Sequence, residues 1–163
     1  MAASVAALLC LAAISWKLVP AVHNRIQHKR LAGLVVYPPD ADPARLMQQA
    51  MTQAQRENKP ILAFLGGNWC QWCLALDATL HDDQDLERLL TKFVVVKLDA
   101  DAASVLTQAW GNPTRNGVPA MVVLSPDGRL QHAQGFTDEQ LWGGRLLGYD
   151  KRKLRATIAA RLP

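Results

Sequence analysis

The chain of 163 residues is long enough for one domain and a short extension, but too short for two full domains. Hydrophobic residues make up 50% of the chain and charged residues 20%, which excludes a disordered or collagen-like protein. The net charge of +4 arises at the two ends, because residues 31–149 carry nine basic and thirteen acidic side chains. A nucleic-acid-binding protein would carry its positive charge on the folded domain, so we predict no nucleic-acid partner.

The first 22 residues predict a membrane anchor. Residues 1–16 carry no charged side chain, and Lys17 alone interrupts the apolar segment before residue 22. A helix of about 22 residues spans roughly 33 Å, which is enough to cross a bilayer. Two alternatives stay open, a buried helix of a soluble protein and a signal peptide cleaved near residues 19–21. The positive n-region of a signal peptide is missing, which favours an uncleaved anchor.

A predicted juxtamembrane linker, residues 23–41, separates this segment from a domain over residues 42–163. Asp42 can cap a helix over 44–57 with Pro43 at its first position. Apolar runs predict buried strands at 61–65, 93–98 and 120–124, and a turn at 126–128 leads to a fourth strand at 129–133. Further helices are expected from the cysteine pair to 80, from Asp82 or Asp83 to 90, and over 102–110, 138–147 and 150–162. This order predicts a mixed α/β sheet with helices on both faces.

Cys70 and Cys73 are the strongest functional feature of the sequence. They directly follow a predicted buried strand and stand at the start of a predicted helix. The free N–H groups and partial positive charge of a helix N-terminus stabilise a thiolate, so we expect Cys70 to be the attacking sulfur. Cys73 lies one turn further along and can resolve a mixed disulfide by attacking Cys70. The spacing therefore predicts dithiol–disulfide chemistry.

Other uses of a Cys-x-x-Cys pair have less support. A zinc site needs about four ligands, and the sequence adds only Cys10 in the apolar segment and His81 as a further candidate. Covalent haem attachment needs a histidine directly after the second cysteine, where Leu74 stands. Two structural cysteines at this spacing by chance are the remaining alternative. We predict no metal and no cofactor beyond a redox-active Cys70–Cys73 disulfide.

Three segments resemble the thioredoxin superfamily. Residues 59–73 resemble its active-site region, residues 94–99 its next strand, and residues 117–128 its cis-proline segment with the following strand and hairpin. The resemblance covers residues 42–149 and is strongest to bacterial anchored or exported thioredoxin-like proteins, including the terminal domain of the transmembrane thiol–disulfide interchange protein. It implies a thioredoxin fold, here preceded by one N-terminal hydrophobic helix.

The resemblance also implies a substrate-binding surface beside the cysteines. Pro119 is expected to form a cis peptide bond and to face the disulfide, with Val118 offering backbone hydrogen bonds to an extended substrate segment. A trans proline at the start of a strand is the alternative. Trp69 would be a contact surface beside the sulfurs, and ordinary packing is its alternative.

The sequence departs from the family's pattern beneath the cysteines. Thioredoxins place a buried acid six residues before the first cysteine, where this chain has Phe64. Lys97 matches a family lysine near that position and is expected to lack its acidic partner. Asp77 is a candidate substitute, although an exposed acid on the helix surface is the favoured interpretation. Because residues 71–72 also differ from those of thioredoxin and tune the reduction potential, thioredoxin itself does not indicate the direction of exchange.

We expect a thiol–disulfide oxidoreductase that reduces disulfides of protein substrates, a direction that rests on family resemblance only. A disulfide oxidant or isomerase is one alternative, and a non-catalytic docking or metal-chaperone module is another. The implied partners are disulfide-bearing proteins, an upstream thiol reductase or membrane electron carrier, and the membrane itself through the N-terminal helix.

Two rules conflict over the side of the membrane. Lys17, Arg25, Lys29 and Arg30 accompany the apolar segment and would keep the domain in the cytoplasm under the positive-inside rule. Anchored domains that resemble this one are commoner on the outer side, so we predict a periplasmic domain. The cytoplasmic face and secretion after signal cleavage are the alternatives.

Overall fold

The computed structural model describes the backbone of residues 2–162 and the side chains of residue 16 and residues 18–162 except residue 142. The elements in chain order are α1 Ala2–Leu31, α2 Pro43–Glu57, β1 Ile61–Gly66, α3 Gln71–His81, α4 Gln84–Leu90, β2 Val94–Asp99, α5 Ser104–Ala109, β3 Ala120–Leu124, β4 Leu130–Gly135, a 3₁₀ turn Leu141–Gly144 and α6 Lys151–Ala159. Asp42 caps α2 by accepting from the Ala44 N–H, with Pro43 at the first position, as the sequence predicts.

The strands form one mixed sheet in the order β2-β1-β3-β4. Strands β1 and β2 run parallel, whereas β3 is antiparallel to both β1 and β4. A parallel pair needs a long crossover, which α3 and α4 supply here. All six residues of β1 are buried, because this central strand has helices on both of its faces. The predicted mixed α/β class is confirmed.

Two hydrophobic cores lie on opposite faces of the sheet. On one face, α2 and the residues flanking α5 pack against one set of strand side chains, including Ala63, Leu65 and Val122. On the other face, α3, α4 and α6 cover a second set that includes Leu62, Phe64 and Met121. This alternation along β1 and β3 follows from the two-residue repeat of a strand.

The second half of α1 packs against the domain. His23 Nε2 donates a hydrogen bond to the Leu147 carbonyl over 3.0 Å, and the Asn24 side chain accepts from the Leu147 N–H over 2.8 Å. Leu31, the last residue of α1, is fully buried. The predicted linker over residues 23–41 begins as helix; Leu31 and Tyr37 are buried against the domain, whereas Ile26 and Val35 are exposed.

The predicted anchor over residues 1–22 falls mostly on residues whose side chains lie outside the described part of the chain. Within the part that is described, no helix combines the length and the apolar character needed to cross a membrane. The hydrophobic N-terminal helix and the anchor stay predictions.

The helix predicted over residues 138–147 is wrong. The chain forms only a short 3₁₀ turn at Leu141–Gly144, in which Gly143 and Gly144 adopt φ values of 60° and 83°. Glycine enters this left-handed region readily, and an α-helix cannot continue through it. The apolar spacing of this segment serves packing instead, since Leu147 is buried.

We expect Asp83→Asn to lower the stability of the domain at neutral pH. Asp83 caps α4 through the N–H groups of Asp85 and Leu86, and its carboxylate also meets Arg155 of α6. The backbone hydrogen bond from Leu86, and then Arg155, hold the pKa of this carboxyl below its ordinary value of 3.8. A lowered folded-state pKa gives stability above pH 3.8 that is lost as pH falls through the folded value.

Asparagine keeps the cap but removes the charge, which isolates the contribution of the carboxylate. Urea unfolding of both proteins should give a difference in midpoint at pH 7 that shrinks as the pH falls below 3.8. A midpoint difference that does not change with pH would contradict this assignment.

Candidate active site

The cysteine pair stands where β1 passes through a tight turn into α3. Cys70 is the N-cap of α3, and its Sγ accepts a hydrogen bond from the Cys73 N–H over 3.1 Å. A sulfur in this position replaces the oxygen of an ordinary N-cap side chain. The same N–H would stabilise a Cys70 thiolate once the pair is reduced, together with the N-terminal end of the 11-residue helix.

Cys70 and Cys73 form a disulfide in the structure. The two cysteines differ in accessibility, because Cys70 retains 7% of its surface whereas Cys73 is fully buried. Cys73 therefore cannot be approached from outside, and Cys70 is the residue of the pair that keeps some exposed surface. The assignment of Cys70 as attacking and Cys73 as resolving sulfur stays a prediction, with which this asymmetry is compatible.

The structure brings the other predicted site residues next to this pair. The Val118–Pro119 peptide bond is cis, and the Val118 carbonyl oxygen lies 3.8 Å from Cys70 Sγ. Trp69 is 61% exposed, and its indole ring folds back over Gly67 in the turn. Trp69 thus belongs to the surface around the sulfurs and not to the core.

Two residues of the site were missed by the sequence analysis, Tyr37 and Asn68. The Tyr37 side chain is 2% exposed and packs in a small buried cluster with Cys70 and Cys73. Asn68 in the active-site turn holds the Tyr37 backbone by accepting from its N–H over 3.0 Å and donating to its carbonyl over 2.8 Å. The sequence signal was the apolar run of residues 34–37, which ends in an aromatic residue and is too apolar for a solvated linker.

Asp77 and Lys97 form an ion pair beneath the site. Their side chains are 16% and 23% exposed, respectively. Lys97 does lack the family's buried acid, because Phe64 stands in its place, and Asp77 is the substitute partner that the sequence offered as a candidate. The favoured interpretation of Asp77 as an exposed surface acid is wrong. Asp77 lies one turn after Cys73 on α3 and points toward the edge strand β2, where Lys97 meets it. Phe64 does occupy the position of the missing acid, and its ring stacks on Phe136 with centroids 6.0 Å apart.

A sulfur nucleophile at a helix N-terminus, joined to a buried partner sulfur, exchanges disulfides by attack of one thiolate on another sulfur. On this mixed sheet, with a cis-proline segment beside the pair, the fold and the site together define a thiol–disulfide oxidoreductase.

Comparisons with known proteins agree with this class. Residues 43–126 match a family model described as thioredoxin-like. A solved structure described as a disulphide isomerase from Xylella fastidiosa Temecula1 is 31% identical with a TM-score of 0.67, covering 79% of this chain and 98% of that chain. The chain belongs to the thioredoxin-like family.

Two further relatives are more distant or cover less. The oxidised C-terminal domain of DsbD from Neisseria meningitidis is 19% identical with a TM-score of 0.53, covering 78% of this chain and 99% of that chain, a likeness of fold alone. Human spermatogenesis-associated protein 20 is 30% identical over 86 residues, which are 49% of this chain. The matched region is only 11% of the length of that human protein.

Proposed function

We propose that this protein reduces disulfides of protein substrates through a Cys70–Cys73 dithiol–disulfide cycle. The observation that carries the proposal is the asymmetry of the pair: Cys70 caps a helix N-terminus and keeps some exposed surface, whereas its partner Cys73 is fully buried. In this cycle the Cys70 thiolate attacks a substrate disulfide and releases the first substrate thiolate. Cys73 then attacks Cys70, forms the intramolecular disulfide and releases the second substrate thiolate.

The substrate would lie as an extended segment across the surface formed by Trp69, Val118 and Pro119. The proximity of the Val118 carbonyl to Cys70 Sγ supports this placement, since a backbone hydrogen bond to Val118 would hold a substrate sulfur within reach. The exposed indole of Trp69 supplies apolar area at the same edge. No cofactor or metal takes part in the proposed cycle.

The upstream partner in this proposal is a thiol reductase or a membrane electron carrier that returns the disulfide to the dithiol. We also keep the predicted anchor of residues 1–22, with the domain on the periplasmic side. The apolar composition of residues 1–16 supports an anchor, whereas the basic residues beside it favour the cytoplasmic face. A membrane-impermeant maleimide, added to intact cells after reduction, would label Cys70 on the periplasmic side and leave it unlabelled on the cytoplasmic side.

The reduction potential of the full chain tests the direction of exchange. Equilibration against dithiothreitol and glutathione buffers, followed by alkylation and mass spectrometry, gives the fraction of Cys70–Cys73 disulfide at each potential. A value near roughly −270 mV, that of thioredoxin, is the expected result. A value near roughly −120 mV, that of a strong oxidant, would overturn the proposed direction.

Isomerisation is the second candidate, and the likeness to the Xylella protein described as a disulphide isomerase favours it. An isomerase acts on scrambled disulfides without net reduction, so it needs no continuous supply of electrons. Recovery of activity from scrambled ribonuclease in a buffer without added reductase would favour this candidate. Insulin reduction coupled to a thiol reductase, without such recovery, would favour the reductant. A protein that formed no disulfide at any potential would instead be a docking or metal-chaperone module.

A further inference from the structure

The Tyr37 hydroxyl and the Cys73 sulfur border the same small space beneath the active-site disulfide. A methyl group placed on Gly66 would lie 2.4 Å from the Tyr37 hydroxyl oxygen and 2.8 Å from Cys73 Sγ. Real side-chain carbons do not approach other atoms this closely, so only glycine fits at this position. The phenol therefore reaches under the disulfide from a segment that precedes the matched family region, residues 43–126.

The position of Tyr37 is built by the active-site turn itself. The Asn68 side chain accepts from the N–H groups of Val36 and Tyr37 and donates to the Tyr37 carbonyl, over 2.9, 3.0 and 2.8 Å. Asn68 stands two residues before Cys70, so the same turn that presents the attacking cysteine also fixes the phenol. Tyr37 is thus held by three hydrogen bonds of its own segment, in addition to packing.

Burial and the charges around the phenol keep Tyr37 in its protonated form. Burial first, and then the carboxylates of Asp77 and Asp99, raise the pKa of Tyr37 well above its usual range. Lys97 is engaged by Asp77, and Tyr149, whose pKa burial also raises, lies near enough to Tyr37 to interact with it. A neutral phenol carries one O–H donor and cannot act as a base at physiological pH. Toward a neighbouring thiolate, which has no proton to give, it can only donate a hydrogen bond.

We propose that Tyr37 is a positioning residue for Cys73, whose hydroxyl donates a hydrogen bond to the Cys73 sulfur when the disulfide opens. This inference rests on the proposed dithiol–disulfide cycle and adds the group that controls its second step. In that step the buried Cys73 thiol gives up its proton, which ends on the released substrate thiolate or a buffer base; the Cys73 thiolate bonds to Cys70, and the Cys70–substrate bond breaks with the electron pair leaving on the substrate sulfur. A donor at Cys73 raises the fraction of thiolate available for this attack.

The test uses the reduced full chain carrying Cys10→Ser, so that Cys70 and Cys73 are its only thiols, and Ellman's disulfide, dithiobis(nitrobenzoate), as substrate. Attack by Cys70 releases one coloured nitrobenzoate thiolate, and the later attack by Cys73 on Cys70 releases a second. Stopped-flow absorbance separates the two phases. Tyr37→Phe should leave the first phase unchanged and slow the second about tenfold at neutral pH, with its pH midpoint about one unit higher.

Tyr149→Phe is the matched control. Tyr149 is the other tyrosine of the chain, is also buried, and packs against Trp72 and Phe136. Its variant should give the wild-type pH midpoint in both phases. His28, whose Nδ1 lies 3.1 Å from the Gln71 side-chain oxygen, is present in all these proteins and does not distinguish them. An unchanged second phase in Tyr37→Phe, or equal slowing of both phases, would overturn the inference.

A second measurement does not depend on how well Tyr37→Phe folds. In the Tyr149→Phe protein, Tyr37 is the only tyrosine, so ultraviolet resonance Raman spectroscopy reports the hydrogen bonding of this phenol alone. Reduction of the disulfide should change the intensity ratio of the two bands of its tyrosine doublet to the ratio typical of a phenol that donates a hydrogen bond. An unchanged ratio would contradict the proposal. Failure of the wild type to reduce any disulfide would instead overturn the proposed function.

Discussion

Replacement of Cys70 by serine is expected to lower the rate of insulin disulfide reduction by at least about a thousandfold. A serine hydroxyl stays protonated at neutral pH, whereas the Cys70 sulfur is placed to become a thiolate at the N-terminus of α3. Cys73 cannot take over the first attack, because its side chain is fully buried. The measurement is the turbidity of precipitating insulin chains with the full-length protein and a coupled reductant.

Cys73→Ser is the informative partner variant. It keeps the attacking sulfur but removes the resolving one, so the protein should accumulate as a mixed disulfide with insulin that is visible on a non-reducing gel. Cys10→Ser, which leaves the Cys70–Cys73 pair intact, is the control and should retain full activity. A Cys70→Ser protein that still reduced insulin, or mixed disulfides trapped by Cys70→Ser instead of Cys73→Ser, would contradict the assigned order of attack.

The features predicted correctly from the sequence are those that depend on neighbouring residues. A continuous apolar run, a glycine turn and two cysteines at helical spacing together predict the strand, the turn and the capped helix. The same holds for the Asp42 cap and for the strand after Pro119. In each case the residues that determine the structure lie within a few positions of one another.

The features that were missed depend on contacts between distant segments. Tyr37 lies beside the sulfurs because it packs in their cluster and because Asn68, 31 residues later, binds its backbone. Asp77 and Lys97 are 20 residues apart and meet because α3 packs beside β2. No local pattern encodes either pairing. The resemblance to thioredoxins indicated that the family's buried acid is missing at Phe64, but it did not indicate which residues lie around the cysteines.

Phe64→Ala is expected to destabilise the domain by about 3–5 kcal/mol. Phe64 is 2% exposed at the centre of the sheet, and its ring stacks on Phe136 and packs in the core formed by α3, α4 and α6. Truncation removes the transfer free energy of the ring and leaves a cavity that the rigid central strand cannot close. Urea unfolding at neutral pH, followed by far-ultraviolet circular dichroism, measures the loss.

Two further variants provide smaller expected losses of stability for comparison. Phe64→Leu retains an apolar side chain and should cost less than about 1.5 kcal/mol, while Val105→Ala, at a position 79% exposed, should stay within about 0.5 kcal/mol. Losses of equal size in all three variants would mean that the ring makes no special contribution to the core. The expected order of losses, with Phe64→Ala the largest, gives a structural reason why Phe64 stands where thioredoxins have an acid. The aromatic ring fills the volume that the acid would occupy.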